Sequence, residues 1–244
     1  HRVGNNCTLY AYPSGGHGFG FRKGFKYRKQ MLCNLREWLG SLPEPSKDAL
    51  RVACIGNSIT DGSGIFMRDL YGYPAQLQQK LGNAYVVKNF GLGRRTMLNK
   101  GDYPYMKEQA WKDVQGFCPD IVVIKFGTND SKAFNWKYGR EFAADYQAMI
   151  DTLKRLPSHP RIILATPLSA LKPLGNINDS VIGNAICPQI KKLAKKNKCQ
   201  LIDLHTVYQP AEGMIQNDGI HPTRKGAEQL ADIVYGYIID KNKR

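Results

Sequence analysis

The chain has 244 residues, 42% of them hydrophobic and 23% charged, which is enough to bury a full core and long enough for one α/β domain with an appendage. This composition excludes a disordered chain; no apolar run long enough to span a bilayer occurs, and no basic segment followed by an apolar stretch opens the sequence as a signal peptide would. The formal net charge of +15 is large, but its densest run, KKLAKKNK (191–198), has helical spacing and no aromatic interleaving, so it reads as a solvated helix face and not as a nucleic-acid interface. A mild attraction for acidic substrates or anionic surfaces is the other reading of the charge.

In chain order, residues 1–43 give a short strand, CTLYAYP (7–13), a glycine-rich turn, SGGHGFGF (14–21), and an amphipathic helix, YRKQMLCNLREWLGSL (27–42). That helix carries an apolar face of Met31, Leu35, Trp38 and Leu39, which needs a cover. PEPSKD (43–48) reads as a linker, so the expected organisation is an appendage over 1–43, a linker over 44–48 and a main domain over 49–244.

From there apolar runs rich in β-branched residues alternate with helical periodicity. LRVACIG (50–56), AYVVKNFG (84–91), DIVVIKFG (120–127), RIILATP (161–167) and CQLIDL (199–204) predict five buried strands. YPAQLQQKL (73–81), YMKEQAWKDV (105–114), GREFAADYQAMIDTLKRL (139–156), NAICPQIKKLAKKN (184–197) and a last segment over about 223–239 predict helices. Such alternation demands right-handed crossovers and a parallel sheet covered on both faces, an α/β/α three-layer sandwich of the flavodoxin-like kind. Six cysteines (Cys7, Cys33, Cys54, Cys118, Cys187, Cys199) lie scattered without a CxxC pair and read as mainly buried thiols. No metal site is expected.

In this architecture functional groups gather at the carboxyl edge of the strands. The first strand ends at Ser58, the second at NFGLGRRT (89–96), the third at FGTNDS (126–131), and NDGIHPT (217–223) precedes the last helix. A serine becomes a nucleophile only when a base takes its proton and a third group orients that base. Of the histidines, His1 is terminal and His159 lies in a loop leading into a strand; His205 competes but lacks an evident orienting carboxylate, whereas Asp218 stands three residues before His221 across Gly219. Asn129, the GLG turn and the Ser58 N–H are candidate donors to an oxyanion. Each motif has a plainer reading: an Asx turn for Asn129, a helix cap or phosphate loop for Ser58, a capped helix entry at Thr223 for DGIHPT.

Taken together, these blocks resemble the SGNH (GDSL-type) hydrolase family over about residues 48–240: Ser58 in GNSIT, the glycine turn, Asn129 in GTND, and Asp218 with His221 in DGIHP. The resemblance implies ester hydrolysis by serine without metal or cofactor, with Ser58 as nucleophile, His221 as base, Asp218 orienting it, and Ser58, Gly93, Arg94 and Asn129 supplying the oxyanion hole. YGYPAQL (71–77) and NFGLGRRTMLNKGDYPY (89–105) look most like bacterial members acting on O-acetylated carbohydrates, so a small-molecule or glycan ester is the expected partner. A periplasmic or secreted location, the signal peptide lying outside a processed or truncated chain, is the expectation, with a cytoplasmic one open; oligomeric state is not fixed. A lipid esterase or lysophospholipase of the same family, and a non-catalytic carbohydrate- or flavin-binding module on the same sandwich, are the alternatives.

Two positions depart from the family pattern. Asn57 stands where the family has aspartate, and in the N-x-G-x-S-G block, here Asn89-Phe90-Gly91-Leu92-Gly93-Arg94, arginine takes the last glycine's place. The appendage, with YPSGGHGFGF before its helix, resembles the histidine loop and last helix of α/β-hydrolase esterases of the dienelactone-hydrolase or acetylxylan-esterase kind, His17 matching the triad histidine. Its serine and acid partners would lie upstream, so His17 is expected to be idle.

Overall fold

The structure, a computed structural model, describes residues 9–15, 22–40, 44–171 and 175–240, with the backbone alone for 39 and 40. His1, Cys7, His17 and the side chain of Leu39 lie outside the described residues. The chain forms two compact units, His1–Glu44 and Pro45–Arg244.

In the first unit, helix α1 runs over Arg28–Gly40 as expected. Residues 9–12, expected within a strand, are irregular. A strand exists only where a neighbour completes its ladder, and all the named strands pair within the sheet of the other unit. Tyr12 instead packs its ring against Phe25 and Tyr27, with centroids 5.9 and 6.0 Å away. On the apolar face of α1, Met31 and Trp38 are half-buried and Leu35 is 45% exposed.

The second unit is built on five parallel strands in the order β2-β1-β3-β4-β5: β1 (Leu50–Gly56), β2 (Tyr85–Gly91), β3 (Ile121–Lys125), β4 (Arg161–Ala165) and β5 (Gln200–Ile202). This is the flavodoxin-like order. β3 is buried along its whole length and β4 nearly so, as continuous apolar runs require in a sheet covered on both faces. β2 and β5 sit at the edges, and β2 is at most half-buried throughout, so the expectation of five buried strands holds only for the inner three. An edge strand meets a neighbour on one side only, which leaves its rim open to water.

Helices α2 (Ser58–Asp61), α3 (Arg68–Tyr71) and α4 (Tyr73–Leu81) connect β1 to β2, α5 (Gln109–Phe117) leads into β3, and α6 (Ala133–Trp136) and α7 (Phe142–Lys154) follow it. After β4 come α8 (Asp179–Val181) and α9 (Cys187–Asn197); after β5, α10 (Leu204–Val207) and α11 (Arg224–Ile239). Right-handed crossovers put α4 on one face, where α11 packs against it, and α5, α7 and α9 on the other. Residues 105–114, expected as one helix, split into a tight turn at Tyr105–Lys107 and α5, with Glu108 extended between them. Tyr105 is drawn into the core, where its hydroxyl donates to the Phe90 carbonyl at 2.6 Å. Upstream of α9 the chain makes a π turn over Ile182–Ile186, because Pro188 has no N–H to give the Asn184 carbonyl. The lysines of 191–198 line the exposed side of α9, while Leu193 and Ala194 face the core. Cys54 and Cys187 are buried, Cys118 and Cys199 half-buried, and Cys33 is exposed, the exception among the described cysteines to the expectation of mainly buried thiols. Among the described residues no helix is long and apolar enough to cross a membrane.

Candidate active site

β1 and its neighbours on either side part at their carboxyl ends, since the chain leaves β1 for β2 on one side and passes to β3 on the other. Such a switch point is where an open parallel sheet forms a crevice. Gly56 ends β1 against β3; a Cβ there would stand 2.8 Å from the Lys125 carbonyl, so no larger residue fits. Asn57 follows in an extended conformation and caps α2, its Oδ1 accepting from the Ile59 N–H at 3.3 Å. Ser58 is thereby the first helical residue, with its own N–H unspent. A single turn later the helix stops at Gly62 in the left-handed region, φ 85°.

Before α11, the loop carrying Asp218 and His221 folds back toward Ser58. Gly219, φ 69°, turns the chain so that Asp218 Oδ1 accepts from the Ile220 and His221 backbone N–H groups at 2.9 and 3.0 Å. Its other oxygen lies 2.5 Å from His221 Nδ1, and His221 Nε2 lies 2.7 Å from Ser58 Oγ. An ionised carboxylate only accepts, so Nδ1 carries the proton and Nε2 is left to accept from the Ser58 hydroxyl. Burial pushes the Asp218 carboxyl up, but the His221 backbone and ring and the Ile220 N–H outweigh it, and the group sits below its ordinary value. It is therefore anionic at neutral pH, as an orienting group must be. Gln216 ties this loop to the segment that follows Ser58, its Nε2 donating to the carbonyls of Ser63 and Pro222 at 3.0 and 2.9 Å.

At the end of β2, Gly91 lies so close to α2 that a Cβ would meet the Asp61 nitrogen at 2.2 Å. The Leu92 N–H then donates to the Gly56 carbonyl at 3.0 Å and pins the loop beside β1. Gly93 follows, where an added Cβ would stand 4.0 Å from Ser58 Cβ. Arg94 comes next with φ 69°, its guanidinium turned onto Tyr103. On the other side, Asn129 is buried and spends one of its two Nδ2 protons on the Arg95 carbonyl at 3.1 Å. Its other amide proton remains available to a further acceptor. Ser58, His221 and Asp218 are thus in direct contact, with Gly93 beside Ser58 and Asn129 on the loop after the neighbouring strand β3.

The competing histidines go elsewhere. His205 Nε2 faces Asp179 at 3.6 Å, and Asp203, after β5, pairs with Lys191 at 2.6 Å. His159 sits in the turn after α7, with φ 45°. Among the described residues no three His, Cys, Asp or Glu side chains gather as metal ligands do.

Supporting residues went unseen in the sequence. Asp130 is fully buried and its Oδ1 accepts from the Leu98 N–H at 2.8 Å, stitching the loop after β2 to the loop after β3. Burial raises its carboxyl to about 6 against the opposing backbone hydrogen bonds. Asn135 reinforces the stitch, donating to the Asn129 carbonyl at 3.0 Å and to Asp102 at 2.9 Å. Lys125, only 1% exposed, ends β3 and donates to Asn57 Oδ1 at 3.3 Å. A polar residue inside an otherwise apolar strand run was the available signal for Lys125; for Asp130 and Asn135 the spacing carried none.

The chain is 53% identical over 249 residues to a protein of Xylanibacter ruminicola described as an acetylxylan esterase, a match covering 95% of this chain and 52% of that protein. The chain therefore spans about half the length of that relative, and most of residues 1–43 fall inside the match. Among solved structures, the acetyl xylan esterase AlAXEase is 25% identical with a TM-score of 0.60, over 78% of this chain and 100% of that one. The native aryl esterase of M. smegmatis, 20% identical, gives a TM-score of 0.63 over 78% and 99%, a likeness of fold. None of these supports an α/β-hydrolase origin for residues 1–43. The model of the GDSL-like Lipase/Acylhydrolase family matches residues 54–229, most of the chain, and the chain belongs to that family.

Proposed function

We propose that the unit over residues 49–244 is a serine esterase that removes O-acetyl groups from carbohydrate. The observation that carries this is the unbroken run of contacts from Asp218 through His221 to Ser58, at 2.5 and 2.7 Å, at the mouth of the sheet. Ser58 Oγ attacks the ester carbonyl while His221 Nε2 takes its proton, and Asp218 stabilises the imidazolium. The tetrahedral oxyanion is met by the N–H groups of Ser58 and Gly93 and the Asn129 amide. Gly93 is preferred to Arg94 as donor because it lies beside Ser58. Collapse expels the alcohol, which takes the proton back from His221. Water, activated by the same histidine, then adds to the acyl-enzyme and releases acetate and free Ser58.

The acetyl-glycan substrate, in place of a lipid ester, rests on the 53% identity to the relative described as an acetylxylan esterase. A polymeric substrate favours a periplasmic or secreted location. Labelling by a fluorophosphonate probe and release of acetate from acetylated xylan, both lost in Ser58→Ala, test the reading. A folded protein that neither labels nor turns over p-nitrophenyl acetate overturns it in favour of a non-catalytic module.

A further inference from the structure

Arg94 holds a conformation that side chains resist. Its φ of 69° is the left-handed region, where a Cβ crowds the following carbonyl and glycine is at ease. Nothing in the fold requires a long cation here. The guanidinium stacks on the Tyr103 ring, 4.6 Å from its centre, and donates to the Tyr103 hydroxyl at 3.2 Å. Tyr103 is held in place from behind: its carbonyl accepts from Thr96, and the next turn returns through Tyr105 to the Thr96 carbonyl. The nearby acids are already engaged. Glu108 takes Arg95 at 2.9 Å, and Asp102 takes Asn135 and lies 3.9 Å from Lys132. Arg94 forms no ion pair among the described residues, in contrast to Arg51, Arg68 and Arg95.

A strained backbone that persists at a site mouth is evidence for what its side chain does. Arg94 is exposed, its guanidinium lies over an aromatic ring, and it stands one residue beyond Gly93, which lies beside Ser58. Its remaining N–H donors form a planar fork suited to a carboxylate. Resting on the reading of this site as a glycan ester hydrolase, we infer that Arg94, oriented by Tyr103, binds a carboxylate on the glycan beyond the acetylated sugar, so that the substrate class is an acidic, uronic-acid-bearing acetylated polysaccharide. The formal charge of +15 favours approach of such a polyanion.

Binding tests this apart from turnover. A xylo-oligosaccharide carrying one glucuronic acid branch and the neutral oligosaccharide of the same length, neither acetylated, are titrated into the full chain and into Arg94→Gly, a substitution the left-handed backbone favours. The charged ligand is expected to bind about tenfold more tightly, the size of one charge-assisted contact at a partly exposed site. Arg94→Gly is expected to remove that preference, and added salt to shrink it in the full chain. Equal affinity for the two, binding of neither, or a preference that survives in Arg94→Gly overturns the inference. Failure to hydrolyse p-nitrophenyl acetate would overturn the esterase reading instead and leave the binding result standing.

Discussion

Lys125 is a cation in the wrong solvent. It is buried at the end of β3, its one hydrogen bond runs to a neutral amide, and burial drives its ammonium down from 10.5 to about 7. A base whose folded pKa is depressed weakens the fold most at low pH: below the folded value the full cost applies, and it is relieved as pH climbs toward the unfolded value. Between pH 7 and 10.5 the unfolded chain holds one proton more than the native chain, so this lysine makes stability rise by about 1.4 kcal/mol per pH unit. At pH 7 the burden is about 4 kcal/mol and at pH 9 about 2 kcal/mol. Lys125→Met removes it and gives up one hydrogen bond to Asn57, worth about 1 kcal/mol at any pH. The variant should therefore be more stable than the parent by about 3 kcal/mol at pH 7 and about 1 kcal/mol at pH 9. Urea unfolding of both proteins at pH 7, 8 and 9, at one ionic strength, measures the gap, and every other titrating group cancels in the difference. A gap that stays constant across that range would refute the argument, since it would mean that the amine is charged and well solvated in the native state.

Ser58→Ala and His221→Ala should each lower kcat/KM on p-nitrophenyl acetate by several orders of magnitude while the Tm holds, whereas His205→Ala should not; the opposite outcome moves the base to the end of β5. Asn129→Ala should reduce kcat about 10²–10³-fold with little change in KM, and a KM effect alone would make Asn129 a substrate-binding residue. Gly91→Val should fail to give a stable, active protein, because its side chain must enter the space of the Asp61 backbone; a normally active variant would show that α2 can retreat from β2. His17→Ala and, if the remainder stays folded, removal of residues 1–43 should leave ester turnover within a few-fold, and a hundredfold loss in either would bring the appendage into the site.

The sheet was legible because buried parallel strands leave a signal that survives in one sequence. IVVIK and RIILA carry short β-branched apolar runs between helical stretches, and their length and composition favour buried strands over helix segments. The Asp218–His221 pair was legible for a different reason: a carboxylate three residues before a histidine across a glycine is a local geometry, and these two residues make it. What stayed hidden depends on contacts between distant segments. No pattern tells that Asp130 will hold Leu98 across 32 residues or that Gln216 will reach Ser63, and the lone lysine in the β3 run does not name Asn57 as its partner. The split at Glu108 was missed because Tyr105 is claimed by the core through Phe90, a tertiary demand that overrides helical periodicity. Gly93 and Arg94 could not be separated in the sequence, since both carry a backbone N–H; the approach of Gly93 to Ser58 is what favours it in the proposed mechanism.

The Ser58–His221 contact spans 163 residues, and the bonds beside it, Gln216 to Ser63 and Gln76 to the Arg224 carbonyl, span 153 and 148. On the proposed mechanism the Ser58 hydroxyl is an ordinary alcohol until the loop carrying His221 docks beside it. Closure over so long a stretch is among the slower events of folding. Regain of ester turnover during refolding should accordingly not precede the docking of residues 216–239, whose helix α11 also completes the core on one face of the sheet. In this molecule the chemistry waits for residues 216–221 to reach Ser58.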